Sequence, residues 1–175
     1  MTSSTVGEIV AEAPCDVALV TLPGEVGRPV ALATGGPDDA AVVRRVGEFA
    51  SLDGTVPTVL AVASGGETER SARERATDLV ADVAAATGRS PDDYVVDVFD
   101  GASDGGLADA LGEYETVCVG YAGKDDSNGS IDGIVERVAR NGQNVAVVRS
   151  SAGVSGESPA GGPRRDRRQS ALSPS

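Results

Sequence analysis

Apolar residues recur along this chain as short unbroken runs, separated by stretches with helical spacing. "RPVALATGG" (28–36) is a Val/Leu/Ala run that ends in glycines, and "VPTVLAVAS" (56–64), "YVVDVF" (94–99), "ETVCVG" (115–120) and "NVAVV" (144–148) repeat the theme. Continuous rather than alternating apolar runs fit strands of a parallel sheet covered on both faces. Between them, "PDDAAVVRRVGEFASLDG" (37–54) sets Val42, Val46, Phe49 and Ala50 on one helical face behind the acidic start Asp38 and Asp39. In "ETERSARERATDLVADVAAATG" (67–88) the stripe is Ala72, Ala76, Leu79, Val80 and Val83, and Gly88 is the stop. "GGLADALGEY" (105–114) predicts a short helix, and "DGIVERVARNG" (132–142) predicts the one that precedes the last strand. Five strands alternating with helices predict an α/β fold: a five-stranded parallel, doubly wound, Rossmann-like sheet in three α/β/α layers with right-handed crossovers.

The first 22 residues do not belong to this series. "TVGEIVAEAP" reads as a helix and "DVALV" as a strand, before the five-strand alternation begins. Residues 8–20, "EIVAEAPCDVALV", align without a gap on residues 136–148, "ERVARNGQNVAVV", at an offset of 128. Six of the thirteen pairs are identical: Glu8/Glu136, Val10/Val138, Ala11/Ala139, Val17/Val145, Ala18/Ala146 and Val20/Val148. The N-terminal piece (1–22) therefore reads as the last helix and strand of a preceding repeat, ahead of one domain over 27–150. Residues 151–175 are rich in Gly, Ser and Pro, lack apolar period and read as a disordered tail. Its "RRDRR" is read as solvated.

Composition narrows the chemistry. Hydrophobic residues make up 40 % of the 175 residues but aromatics only 3 %, so the core is built of small aliphatic side chains. There are 15 basic against 27 acidic residues, a net charge of −12, and Lys124 is the only lysine. Such a body repels nucleic acid and anionic membrane surfaces, and its surface chemistry predicts a salt-rich, halophilic cytoplasm. The absence of His excludes His metal sites, a Ser-His-Asp triad and imidazole acid/base catalysis. Cys15 and Cys118 lie in or beside predicted strands and read as small core residues. No apolar stretch reaches the roughly 18 residues of a membrane span, and no signal peptide opens the chain, so a cytoplasmic location is expected. Asp97, Asp100 and Asp104 cluster near a strand end without a nucleophile or base beside them, and read as a solvated acidic rim rather than a catalytic metal site.

The residues after the fourth strand raise the question of a ligand. "GYAGKDDSNGSIDG" (120–133) is glycine-rich and leads into a helix, the arrangement that holds phosphates in many α/β folds. Together with the closing "NVAVVR", it resembles the universal stress protein (UspA-like) family. "SSTVGEIVAEAPCDVALV" also resembles that family's closing pattern through Ser4, Thr5, Val6, Glu8, Val10, Pro14, Cys15 and Val17. The resemblance implies an adenine nucleotide alpha hydrolase-like fold, and a nucleotide site drawn from Thr34, Gly35, Val62, Gly120, Gly123, Ser127, Gly129, Ser130 and Gly133. In the family's ATP-binding members the loop reads Gly-x2-Gly-x9-Gly-Ser/Thr, and an Asp closes the first strand. Here Gly120, Gly123 and Gly133 fit the spacing, but Ile134 follows where a hydroxyl is expected. Thr34 and Gly35 stand in place of the Asp, and Asp125, Asp126 and Asp132 would repel a polyphosphate unless a cation such as Mg²⁺ bridged them. Asp38 and Asp39, placed at a helix start, are not expected to substitute for the missing Asp.

The resemblance thus implies a non-enzymatic regulatory domain with no cofactor or weak ATP or AMP binding. The alternative is an ATP-binding protein that uses loop 120–133. Family members pair through their last strands, which implies a homodimer or a partner domain of the same kind. In this chain Asp16–Val20 could pair with Asn144–Val148 in that manner, and a tandem layout also suits the cytosolic tail of a membrane transporter.

Overall fold

A computed structural model describes residues 10, 12–63, 65–100, 104–121 and 130–151. Within them the chain forms β1 (Val17–Thr21), β2 (Pro29–Ala33), α1 (Asp39–Asp53), β3 (Thr58–Val62), α2 (Glu69–Thr87), β4 (Val95–Phe99), α3 (Asp104–Leu111), β5 (Thr116–Gly120), α4 (Ser130–Arg140) and β6 (Asn144–Arg149). The strands make one sheet in the order β1-β6-β5-β2-β3-β4. β2 to β6 are parallel, and β1 joins β6 antiparallel. The sheet has six strands where the interior pattern predicts five, because the N-terminal strand adds to its edge.

The layers follow from the apolar patterns. On one face α1 and α2 bury Val42, Val46, Ala72, Ala76, Val80 and Val83 against Ala31, Ala33, Ala61 and Ala146. On the other, Leu107 and Leu111 of α3 and Ile134 and Val138 of α4 cover Val30, Leu60, Val117 and Val145. Every residue of β2 is buried, as a central parallel strand requires. The α2 stripe runs as expected and the helix ends at Gly88, while Leu79 is only partly buried. Cys118 is fully buried, which pushes its thiol up to about 12. Cys15, expected in the core, is exposed, since it precedes β1 at the rim of the sheet rather than entering it.

β1 is held at both ends. The Asp16 carboxylate accepts from the Ser151 amide at 2.8 Å and its hydroxyl at 3.0 Å, and lies 3.6 Å from Arg44. The Ser151 amide is the main reason its pKa is lowered, and the Arg44 and Arg45 charges add to it. At the other end the fully buried Asn144 accepts from the Gly24 amide at 3.1 Å. Its Nδ2 donates to the Glu25 carbonyl at 2.7 Å and to Thr116 Oγ1 at 3.0 Å. With β1 in place the outer edge of β6 is already paired. No helix among the described residues is long and apolar enough to cross a membrane. Of the helix expected over 5–14, Val10 and Glu12 are helical, 13 and 14 are not, and the rest lies outside the described residues, as does the tail beyond Ser151.

Candidate functional site

The chain runs β2, β3, β4 to one side, then crosses over to β5 and β6 on the other. The order therefore reverses between β2 and β5, and the crevice at their carboxyl ends is where open α/β sheets bind ligands. Two segments frame it: the β2–α1 turn (34–38) and the end of β5.

Gly35 makes the first of these turns possible. Its φ of +85° lies in the left-handed region that glycine adopts without strain. The turn brings Asp39, in the first turn of α1, back over the end of β2. Its Oδ2 accepts from the Gly35 amide at 2.7 Å and its Oδ1 from the Thr34 amide at 3.3 Å. Asp39 thus stands at the end of the first interior strand although it lies in the first turn of a helix. Burial raises its pKa, against the opposing pull of the two amides and of Arg75.

Arg75 closes the neighbouring part of the crevice. Nε and Nη2 donate to the two Glu67 carboxylate oxygens at 3.1 and 3.2 Å, a bidentate pair. Nη2 also donates to the Val62 carbonyl at 3.2 Å, and Nη1 to the Ala33 carbonyl at 3.5 Å and faces Asp39 Oδ2 at 3.8 Å. The guanidinium stacks close to Gly35, where an added Cβ would lie 3.7 Å from its central carbon. The backbone groups that end β2 and β3 are thus matched by Asp39 and Arg75.

Asp38 covers the β5 side. It stands just before α1 and its carbonyl accepts from the Val42 amide at 3.0 Å, but its side chain caps none of that helix's amides. Oδ1 accepts instead from the Ser150 amide beyond β6 at 2.8 Å. On the way it crosses Gly120, where a Cβ would lie 3.2 Å from Asp38 Cβ. A helix N-terminus favours an anion, and here two carboxylates of the chain itself sit beside it.

The remaining sequence candidates divide. Thr34, Gly35, Val62 and Gly120 are brought together at this crevice. Gly123, Ser127 and Gly129 lie outside the described residues, as do Lys124, Asp125 and Asp126. Ser130 is the first residue of α4 and Gly133 the fourth, the latter exposed with nothing within 4 Å of an added Cβ. Ile134, at the position where a hydroxyl was expected, is a core residue with 4 % exposure. Asp97 is exposed and lies 3.8 Å from Arg73. Sequence reading missed Arg75 and Glu67, although Arg75 stands between Ala72 and Ala76 on the buried stripe of α2, an unusual place for a charge.

No family model matches the sequence, and no curated protein matches it. Solved structures do. A universal stress protein from Archaeoglobus fulgidus is 14 % identical over 70 % of this chain and 94 % of its own, with a TM-score of 0.50. A second from that organism, also 14 % identical with a TM-score of 0.50, is matched over 82 % of this chain but only 53 % of its own length. A universal stress protein solved in complex with cAMP is 19 % identical over 71 % of this chain and 98 % of its own, with a TM-score of 0.49. At these identities the likeness establishes the fold, which is that of universal stress proteins.

Proposed function

We propose that the chain is a universal stress protein-like regulatory domain, non-enzymatic, that works by association, and that its own side chains close its nucleotide crevice. The observation that carries this is the Arg75–Glu67–Asp39 network. A nucleotide held at the ends of β2 and β3 would need the amides of Thr34 and Gly35 or the carbonyls of Ala33 and Val62, and these already have partners within the chain. A ligand would have to displace a bidentate ion pair and leave the buried Asp39 and the largely buried Glu67 carboxylates without their cation, a cost of several kcal/mol. The residues present therefore do not fit an adenine nucleotide at this end of the crevice. The salt-adapted, cytoplasmic setting and the pseudo-dimer expected from the repeat belong to the same reading.

The test is calorimetric. The full chain, purified in molar KCl, is titrated with ATP and AMP with and without Mg²⁺, and any co-purified nucleotide is extracted by denaturation. No extracted nucleotide and no heat at about 1 mM ligand are expected. A saturable one-to-one isotherm in the micromolar range would favour the alternative, an ATP-binding protein using loop 120–133.

A further inference from the structure

β4 is an outermost strand of the sheet, and among the described residues no strand pairs with its free side. Its backbone bonds show which groups face outward. The Val95 amide donates to the Pro57 carbonyl at 3.0 Å, and the Phe99 carbonyl accepts from the Ala63 amide at 3.3 Å, so these residues bond inward to β3. In a parallel ladder the alternate residues turn their amides and carbonyls the other way. Val96 and Val98 therefore present theirs at the open edge. The sequence makes that edge a hazard. "YVVDVF" (94–99) combines high strand propensity with no Pro, no Gly and a single charge, Asp97, and Val95 is 50 % exposed. Such a window pairs readily with a copy of itself when its edge is free.

Two side chains occupy the outward groups. The Val98 amide donates to Asp97 Oδ1 at 2.8 Å, and Arg73 Nη1 donates to the Val96 carbonyl at 3.1 Å. Arg73 reaches that carbonyl by passing around the strand. Val96 and Val98 pack on the α2 face, whereas Phe99, and so by alternation Asp97, belongs to the opposite face. Arg73 rises from α2, yet its Nη2 lies 3.8 Å from Asp97 Oδ1 and 3.8 Å from Glu69. The Val96 carbonyl and the Val98 amide are the two groups that one residue of an added parallel strand would bond opposite Asp97. An antiparallel strand would need one of them in each of two successive pairs. Both arrangements are therefore blocked. The Arg73 and Asp97 side chains are 47 % and 62 % exposed, so their ion pair contributes little to stability. Their placement matters at the edge.

We propose that Arg73 and Asp97 form an edge guard, an autoinhibitory contact that keeps β4 from adding a strand of a second copy of this chain. Asp97, which the sequence places in a solvated acidic rim, is the gatekeeper of the one strongly strand-forming window at this edge. Molar salt screens the charge pair, but the two hydrogen bonds to the backbone persist, so the guard holds where charge repulsion alone would fade. The inference is independent of whether the crevice binds nucleotide.

Paired substitutions in the full chain test it. Arg73→Ala with Asp97→Thr removes both caps without changing the net charge. Arg70→Ala with Asp78→Ala makes the same charge change at exposed positions of α2 and serves as the control. Each is followed with the wild type by sedimentation velocity over a wide concentration range in molar KCl, alongside hydrogen exchange and thermal unfolding. The Arg73/Asp97 variant is expected to form larger species at a concentration at least about tenfold below that of the wild type or the control. In those species the peptide 94–99 should exchange slowly, and the unfolding midpoint of the dilute variant should match the control. A folded variant that sediments as the control does at every concentration would overturn the proposal. So would association that leaves 94–99 in fast exchange, or a lowered midpoint without association, since the contacts would then only brace the fold. Asp97→Asn sharpens the test, because its Oδ1 still accepts from the Val98 amide while the charge is gone. It should associate less than Asp97→Thr, and equal association would assign the effect to charge, against the proposal. If the double variant does not fold, the Arg73→Ala and Asp97→Thr single variants read the same threshold, and their failure to fold would overturn the proposal as well.

Discussion

The two ends of the sheet are tied down by different chemistry. At the amino ends of the strands the buried ties are neutral amides and a hydroxyl. Asn144 links Gly24, Glu25 and Thr116, Gln143 donates to the Leu111 and Tyr114 carbonyls at 2.7 and 2.6 Å, and Thr116 donates to Val26 at 2.6 Å. At the carboxyl ends the ties are charged: Asp38, Asp39, Glu67 and Arg75. Neutral groups cost less to desolvate, so a purely structural junction is cheaply built from them. The charges at the carboxyl ends instead meet the Thr34, Gly35 and Ser150 amides and the Ala33 and Val62 carbonyls.

The largest effect is expected where the neutral end is cut. Asn144→Ala strips three partners from a fully buried junction and should cost about 3 kcal/mol in urea denaturation at fixed salt. It should also loosen the β1–β2 connection in hydrogen exchange. Next comes Arg75→Met, which leaves the Ala33 and Val62 carbonyls and two acids without their cation. It should cost about 2 kcal/mol, and adding Glu67→Gln should restore part of the loss. If Arg75→Met proves neutral while Asn144→Ala does not, the charged end does not hold the crevice closed.

Much of this was legible in the sequence. The Val/Ala runs marked all five parallel strands. β2, β3, β5 and β6 lie inside the sheet and must be apolar on both faces, while β4, at the edge, carries the exposed Asp97. The last-strand pairing implied by the family resemblance anticipated that β1 would lie against β6. The crevice was not legible, for identifiable reasons. Arg75 sits among "ERSARERAT", where most charges face solvent, and only its place on the stripe marks it. Asp39 reaches the end of β2 because Gly35 takes a positive φ, which a residue pattern does not display. Gly133 fits a loop motif by spacing but lies within α4, because the helix starts at Ser130.

Smaller effects separate the carboxylates by sign. The pKa of Asp16 is lowered by the Ser151 amide, so its contribution is full above the ordinary carboxylate value and is lost as pH falls through the lowered one. Asp16→Asn should therefore flatten the acid limb of the stability profile below about pH 4. Burial raises the pKa of Asp39, so the folded state binds that proton more tightly and stability falls as pH rises through the raised value. Asp39→Asn should remove that descent. Thermal unfolding across pH at constant KCl reads both, and Asn144→Ala should leave both limbs in place. Least of all, Gly133→Ala should stabilise the chain by about 0.5 kcal/mol, as for any exposed helix-interior glycine. A loss at that position would return it to the loop.

The central claim is that the chain's own side chains occupy the crevice, and the Gly35 amide and the Arg75 Nε–H report on it directly. In proton–nitrogen NMR of the full chain in molar KCl, both should resist solvent exchange and hold their positions when ATP is added to about 5 mM with Mg²⁺. Saturable shifts of both signals, together with faster exchange at Arg75, would show a nucleotide displacing the network and would contradict the account.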